Sequence, residues 1–333
     1  MKITENNWHE GYSLIKKIGL IDAHCDSVRY FGDKKMGYSF NKKNASTHVD
    51  LPKLEEGNIK GQFFAVCVES KGEPKLKDAL SFIECYYQEI ESNHSRIEHI
   101  NTTTDMKKVL KDNKIFSLLA LEGAGALEGE IRVLSQLFRL GVRCVSLTWN
   151  YRNQLADGIY ENETGGGLTQ LGKTVIKEVE KQGMLLDLSH LSYRGYIQAL
   201  DVSFNTPLVS HANCFTLCSH PRNLSDEQIR FLAEKGGIMG ISFYPPFISS
   251  CHNNVNLESL LNHFVYVANL VGVEYLAVGS DFDGINKTVE QISDASCMPL
   301  LAAGLLQKGF FPKEIEQILI NNMYHLLEEV LPD

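Results

Sequence analysis

Eight short apolar runs, each rich in β-forming residues, recur along the 333-residue chain with helical patterns between them. They are GLIDAHC (19 to 25), GQFFAVCV (61 to 68), IFSLLALEG (115 to 123), VRCVSLTW (142 to 149), GMLLDLSH (183 to 190), PLVSH (207 to 211), GGIMGISFY (236 to 244) and EYLAVGSDFDG (274 to 284). Runs apolar on both faces belong in a parallel sheet covered by helices, and eight strand–helix units can close on themselves. The expected fold is therefore an α/β (β/α)8 TIM barrel, one domain over residues 1 to 333. Between the runs, LTQLGKTVIKEVEKQG (168 to 183) carries Leu171, Val175 and Val179 at helical spacing and stops at Gly183. LSDEQIRFLAEKGG (224 to 237) opens with Ser225 before an acidic first turn and ends in glycines. Beyond the eighth run, residues 311 to 331 begin with Pro312 and show one apolar face, which predicts an extra C-terminal helix packed outside the barrel. The stretches 26 to 60 and 150 to 167 read as loops at the ligand face.

The formal charge of −9 leaves no general basic surface, and no run interleaves Lys and Arg with aromatics, so nucleic acid is not an expected partner. No stretch is apolar enough to span a bilayer, and the first twenty residues lack the continuous apolar segment of a signal peptide. The expected location is the cytoplasm. Eight cysteines, at 25, 67, 85, 144, 214, 218, 251 and 297, form no CxxC pair and read as reduced, mostly buried thiols.

Ionisable residues fall in one place on this pattern. His24 and Asp26 end the first run, Glu122 the third, His190 the fifth, His211 the sixth and Asp281 the eighth. The C-terminal ends of barrel strands form a single rim, so groups more than 250 positions apart can meet there. Three His, two Asp and one Glu suit zinc better than magnesium, which prefers oxygen alone. One ion rarely needs six such groups. A carboxylate shared by two ions is the economical arrangement, with Glu122 bridging a pair made by His24 and Asp26 and another made by His190 and His211. Asp281 then remains for proton transfer.

Each residue also has a plainer role available. His24 with Asp26 could be a buried imidazole tied to a carboxylate, and His190 and His211 could be ordinary core histidines. Asp187 lies three positions before His190 and reads as structural. Asp283 could shape the turn before Gly284, leaving Asp281 closer to the strand. Arg222 could merely pair with Asp226 at a helix start, or turn its planar fork to a carboxylate at the rim. His211, Cys214, Cys218 and His220 could form a small zinc knot, although the spacings fit poorly and both cysteines read better as buried thiols on one side of a short helix. The seven remaining histidines, 9, 48, 94, 99, 252, 263 and 325, fall in helices or loops without a partner pattern. The triple glycine at 165 to 167 lacks the context of a phosphate loop.

The segments IDAHCD, ALEGAGAL, LTWN, DLSH, VSHANC, PRNLSD and GSDFDG, in this order across nearly the whole chain, resemble the membrane (renal) dipeptidases, the peptidase M19 group of the amidohydrolase superfamily. That resemblance implies two zinc ions per chain, one held by His24, Asp26 and Glu122 and the other by Glu122, His190 and His211. It casts Asp281 as acid/base and Arg222 as the anchor of the substrate's terminal carboxylate, and it implies a homodimer and tolerance of a C-terminal D residue. One position departs: Trp149 stands where several members carry a histidine implicated in carbonyl binding. An indole N–H donates a hydrogen bond but takes no charge, so a metal or another rim donor would carry more of that role. The expected reaction is hydrolysis of a dipeptide. The alternatives are another metal-dependent amidohydrolase, acting on N-acyl amino acids, cyclic amides or lactones, and a barrel that has lost its chemistry and serves as a sensor.

Overall fold

A computed structural model describes residues 2–32, 37–68, 75–251 and 255–333. The described residues form nine strands: β1 (Leu20–Cys25), β2 (Ile59–Cys67), β3 (Ile97–His99), β4 (Ile115–Glu122), β5 (Val142–Ser146), β6 (Leu185–Asp187), β7 (Leu208–Ala212), β8 (Ile238–Ile241) and β9 (Leu276–Val278). Their order is β2-β1-β9-β8-β7-β6-β5-β4-β3, every neighbouring pair is parallel, and β2 also pairs with β4. That last pairing closes eight strands into the expected (β/α)8 barrel. Each of the eight apolar runs holds one barrel strand. The ninth, β3, pairs only with the first residues of β4, and its three residues are too few to show a period.

Alternation along the strands sorts the core into two layers. Leu20, Phe64, Leu119, Val145, Leu186, Val209 and Met239 face outward and pack with helix residues such as Ile83, Leu134, Val175, Ile229 and Phe264. Ile21, Phe63, Phe116, Leu118, Leu185, Leu208, Ile238 and Ala277 fill the lumen. Local signals set the helices between. Thr169 caps Gln170–Lys181, and Ser225 with Gln228 makes a capping box on Asp226–Glu234. Gly183 ends its segment at φ +74°, a conformation that L side chains rarely adopt. No helix among the described residues is long and apolar enough to cross a membrane.

The C-terminal segment follows the sequence reading in its first half and corrects it in its second. Its residues form two short helices, Pro312–Glu316 and Asn322–Val330, joined by a π turn at Gln317–Asn321. Ile315, Ile318 and Leu319 pack with the outer ring as expected, whereas Met323, Leu326, Leu327 and Val330 pack with the lumen residues. Ile21, Leu185, Leu208 and Ile238 lie at strand starts, so this segment stoppers the barrel at the end opposite the rim. Asn322 pins it by donating to the carbonyls of Val273 and Leu276, and the Thr103 N–H bonds the carbonyl of Pro332. An apolar face read from sequence says that a helix is covered, but not by what.

Truncating a stopper residue leaves a hole no other element can fill. Leu327→Ala is expected to cost about 2–5 kcal/mol, read as a lower urea midpoint with an unchanged slope.

Candidate metal centre and active site

The rim is assembled strand by strand. The end of β1 is sewn to the segment after β9: Asp281 N–H bonds the His24 carbonyl, and Asp26 N–H bonds the Phe282 carbonyl. Beneath them the buried Asp22 carboxylate accepts from the backbone N–H of His24 and Ser280, the Ser280 hydroxyl and Gln62 Nε2. His190 and Asp281 hold left-handed backbones at φ 70° and 64°. Such conformations cost a non-glycine residue energy and persist where surrounding bonds over-determine them.

Five predicted ligands converge. His24 Nε2 lies 3.2 Å from Asp26 Oδ2 and 3.8 Å from Glu122 Oε2. The other Glu122 oxygen, Oε1, lies 2.8 Å from His190 Nε2 and 3.7 Å from His211 Nε2. The two oxygens of one carboxylate thus face two histidine-bearing groups. Asp281 completes a third close set with His24 and Asp26.

Outer hydrogen bonds decide which imidazole nitrogen is bare. His190 Nδ1 is 2.8 Å from Asn150 Oδ1, which can only accept, so Nδ1 carries the proton. His211 Nδ1 is 2.8 Å from Ser210 Oγ, whose one proton goes to Asp187 Oδ2 at 2.6 Å, so this Nδ1 is protonated as well. Both Nε2 lone pairs then face each other across 2.9 Å, beside a carboxylate. A buried cluster of lone pairs with no proton between them fits a cation, and nitrogen with oxygen donors fits zinc. The reading of Asp187 as structural is sharpened: it orients His211 through Ser210.

Burial pushes the His190 and His211 imidazoles well below the ordinary histidine range, and the positive charges of Arg222 and His24 push the same way. For His24, burial also lowers the pKa, but the negative charges of Glu122 and Asp26 outweigh it and raise it to about 10. Burial, then the charge of Asp26, raises Glu122. Asp281 is raised to about 7, mainly by burial, with His24 pulling it down and Asp26 pushing it up.

A cavity of about 270 Å³ opens above these groups, at the small end for ligand sites, and Asp26, Glu122, Trp149, His190, His211, Arg222 and Asp281 all line it. A larger hollow of about 440 Å³ beside Trp8 and Tyr12 gathers no such donors, so the chemistry belongs to the smaller one. Arg222 is buried and does not pair with Asp226, which accepts instead from Thr216 and Tyr266. Its guanidinium lies 5.4 Å from the centre of the Phe247 ring and donates one bond, from Nη2 to the His211 carbonyl. Its Nε has no hydrogen-bond partner among the described residues. Trp149 lines the wall with its ring centre 6.1 Å from that of His190.

The rival knot does not form. Cys214 N–H bonds His263 Nδ1, Cys218 Sγ contacts the Pro246 carbonyl, and His220 faces the cavity. The two cysteines are buried as expected, but in a single turn closed by Cys218 N–H to the Cys214 carbonyl, not in a helix. Asp283 proves to be a loop clamp, accepting from Ser27 Oγ and from the backbone N–H of His48 and Val49. His48 bonds the Asp283 N–H, and His99 lies on β3 beside Tyr86 and Asn101, so both have partners the sequence did not reveal. His252 lies outside the described residues. Sequence reasoning did not single out Cys67, Asn150, Tyr160, His220 or Tyr244 for the cavity wall, although Asn150 and Tyr160 lie in the 150 to 167 stretch expected at the ligand face. Cys67 and Tyr244 carried a usable signal, because each stands at the C-terminal end of an apolar run as the ligands do.

A family model described as membrane dipeptidase (peptidase family M19) matches residues 9–331. Dipeptidase tcpJ of Claviceps purpurea is 31% identical over 324 residues, covering 93% of this chain and 76% of that protein. Dipeptidase aclJ of Aspergillus oryzae is 30% identical over 338 residues, covering 95% and 79%. A metallopeptidase from Rhodobacter sphaeroides, solved with a phosphinate mimic of the dipeptide L-Ala-D-Ala, superposes with a TM-score of 0.87 at 23% identity, covering 94% of this chain and 99% of that one.

His24 and Glu122 both have raised pKa values, so a cation that binds them displaces protons. Raising the pH lowers the cost of that displacement and strengthens metal uptake. Calorimetric titration with zinc in buffers of different ionisation enthalpy should show net proton release, with affinity rising from about pH 6 to about pH 8. Proton uptake, or affinity independent of pH, would contradict the assignment.

Proposed function

We infer that the chain cleaves dipeptides with the help of two zinc ions, and the premise is its family: it belongs to the membrane dipeptidases, peptidase family M19, a family of metallo-dipeptidases. The observation that carries the two-ion reading is the division of Glu122, one oxygen toward His24 and Asp26, the other toward His190 and His211. Zinc held by those residues would supply a water activated near neutral pH and a Lewis acid for the scissile carbonyl.

The remaining steps fall to side chains. Asp281, on the cavity wall beside His24 and Asp26, is placed to take the water's proton and pass it to the departing amine. Arg222 offers an unsatisfied N–H to the substrate's free carboxylate, and Phe247 beneath it restricts the tilt of the guanidinium. That anchor and the small cavity together select short peptides. Trp149 replaces a charged imidazole with an indole donor, so it acts on carbonyl orientation and on the fit of the substrate's side chains.

The Rhodobacter sphaeroides protein was solved with a mimic of a dipeptide ending in a D residue. We extend that tolerance to this chain as a proposal, together with a homodimeric assembly. Eight cysteines with no disulfide among them suit a reducing compartment, and we place the protein in the cytoplasm.

The test is a metal count paired with a substrate panel. Two zinc per chain and turnover of L-L or L-D dipeptides, but not of N-acetyl amino acids, are expected. Fully loaded protein that cleaves only an N-acyl amino acid, a cyclic amide or a lactone would overturn the dipeptide reading, and binding without turnover of anything would favour a sensor. His190→Ala should lose one zinc and at least about 100-fold in kcat/KM, the upper end of what losing even a supporting bond costs, with the far-ultraviolet spectrum unchanged.

A further inference from the structure

Cys67 ends β2 directly opposite Glu122 in the parallel register, so the two side chains leave neighbouring strands on the same face. β2 is also the single strand between β4 and β1, beyond whose end Asp26 lies. The sulfur therefore falls between two carboxylates. Cys67 Sγ and one oxygen each of Asp26 and Glu122 lie within 4.8 Å of one another. The thiol hydrogen-bonds Glu122 and lines the catalytic cavity. Among the described residues no other cysteine joins such a group.

A half-buried cysteine usually serves as a small apolar filler, with apolar neighbours. Here the neighbours are the same acids that face His24. We propose that Cys67 is itself a metal ligand, a thiolate that completes, with His24, Asp26 and Glu122, the first of the two cation positions. This rests on the two-ion reading above. Coordination breaks the S–H bond, the proton leaves to solvent, and the sulfur lone pair binds the cation, with no change of oxidation state. The two positions then differ in kind. The first offers nitrogen, oxygen and sulfur, and the second, at His190, His211 and Glu122, nitrogen and oxygen. Sulfur favours thiophilic ions, so the first position should hold cadmium tightly and discriminate against manganese.

Cobalt(II) reports sulfur directly, because a bound thiolate adds a near-ultraviolet charge-transfer band to the visible bands of the ion. Metal-free protein is titrated in a background where the other thiols that are not buried, Cys85, Cys251 and Cys297, are changed to serine, so Cys67 can be read without being altered. The expected result is a thiolate band that saturates with one cobalt per chain. Cys67→Ser in the same background should lose that band while keeping visible cobalt bands, and should lose about tenfold or more in cadmium affinity. Two cobalt ions bound with no thiolate band would overturn the proposal and leave the two-ion reading standing. A band that persists in Cys67→Ser would assign the sulfur elsewhere and overturn it as well. No cobalt bound at all would overturn the two-ion reading and this proposal with it.

Discussion

The pairing of β2 with β4 turns a row of strands into a ring. It runs without a register shift from Gly61 opposite Phe116 to Cys67 opposite Glu122. In the open strand order, β1 and β4 would stand six steps apart, roughly 30 Å at the usual spacing. Closure leaves only β2 between them, which brings His24 to within 3.8 Å of Glu122. Gly61 permits it at the lower end, where a Cβ would fall 2.0 Å from the Phe116 ring. A side chain there would push Phe116 out of the lumen and open the same seam that carries Glu122 and Cys67 at its upper end.

Closure also creates an electrostatic problem. The lumen is apolar from the C-terminal stopper up to Leu118 and Ala120, and then becomes a layer of buried acids and imidazoles. Buried charge is costly unless it is paired. The structure meets part of that cost with fixed partners: Asp22 with Ser280 and Gln62, Asp187 with Ser210, and Asn150 with His190. What these leave facing one another, the Nε2 lone pairs of His190 and His211 and the oxygens of Glu122, is what the proposed cations would bind. The outer bonds and the proposed ions are therefore one device, since the same proton placements that orient the rings also bare the lone pairs.

The eight barrel strands were legible because runs apolar on both faces are rare outside parallel sheets, and the rim was legible because a polar residue ending such a run has few other uses. The destination of the second half of the C-terminal segment was not. Lumen-facing Ile21 and Leu208 look the same in sequence as outward-facing Leu20 and Val209, so nothing marks the barrel floor that Leu326 and Leu327 cover. Cys67 escaped notice because cysteine counts as apolar in a hydrophobic run, and only the register against Glu122 shows which way it points. Tyr160 reaches the cavity from a loop, where no period exists to place it. His24, Asp26, Glu122, His190 and His211 do converge, while the rival pairing of Arg222 with Asp226 fails because Thr216 and Tyr266 occupy that carboxylate.

The position of Arg222 bears on how the proposed anchor would set peptide length. The guanidinium donates to the carbonyl of His211, the residue whose ring meets Glu122. Arg222 lies in the turn between β7 and the helix Asp226–Glu234, and this bond ties that turn to the end of β7. Proposed anchor and proposed metal ligand are thus linked directly, and a shift of the anchor would cost the bond to His211, the ring whose tautomer Ser210 and Asp187 fix. Under the proposed reading, variation in substrate preference falls to wall residues outside the proposed ligand set, Trp149, Tyr160 and Tyr244 among them.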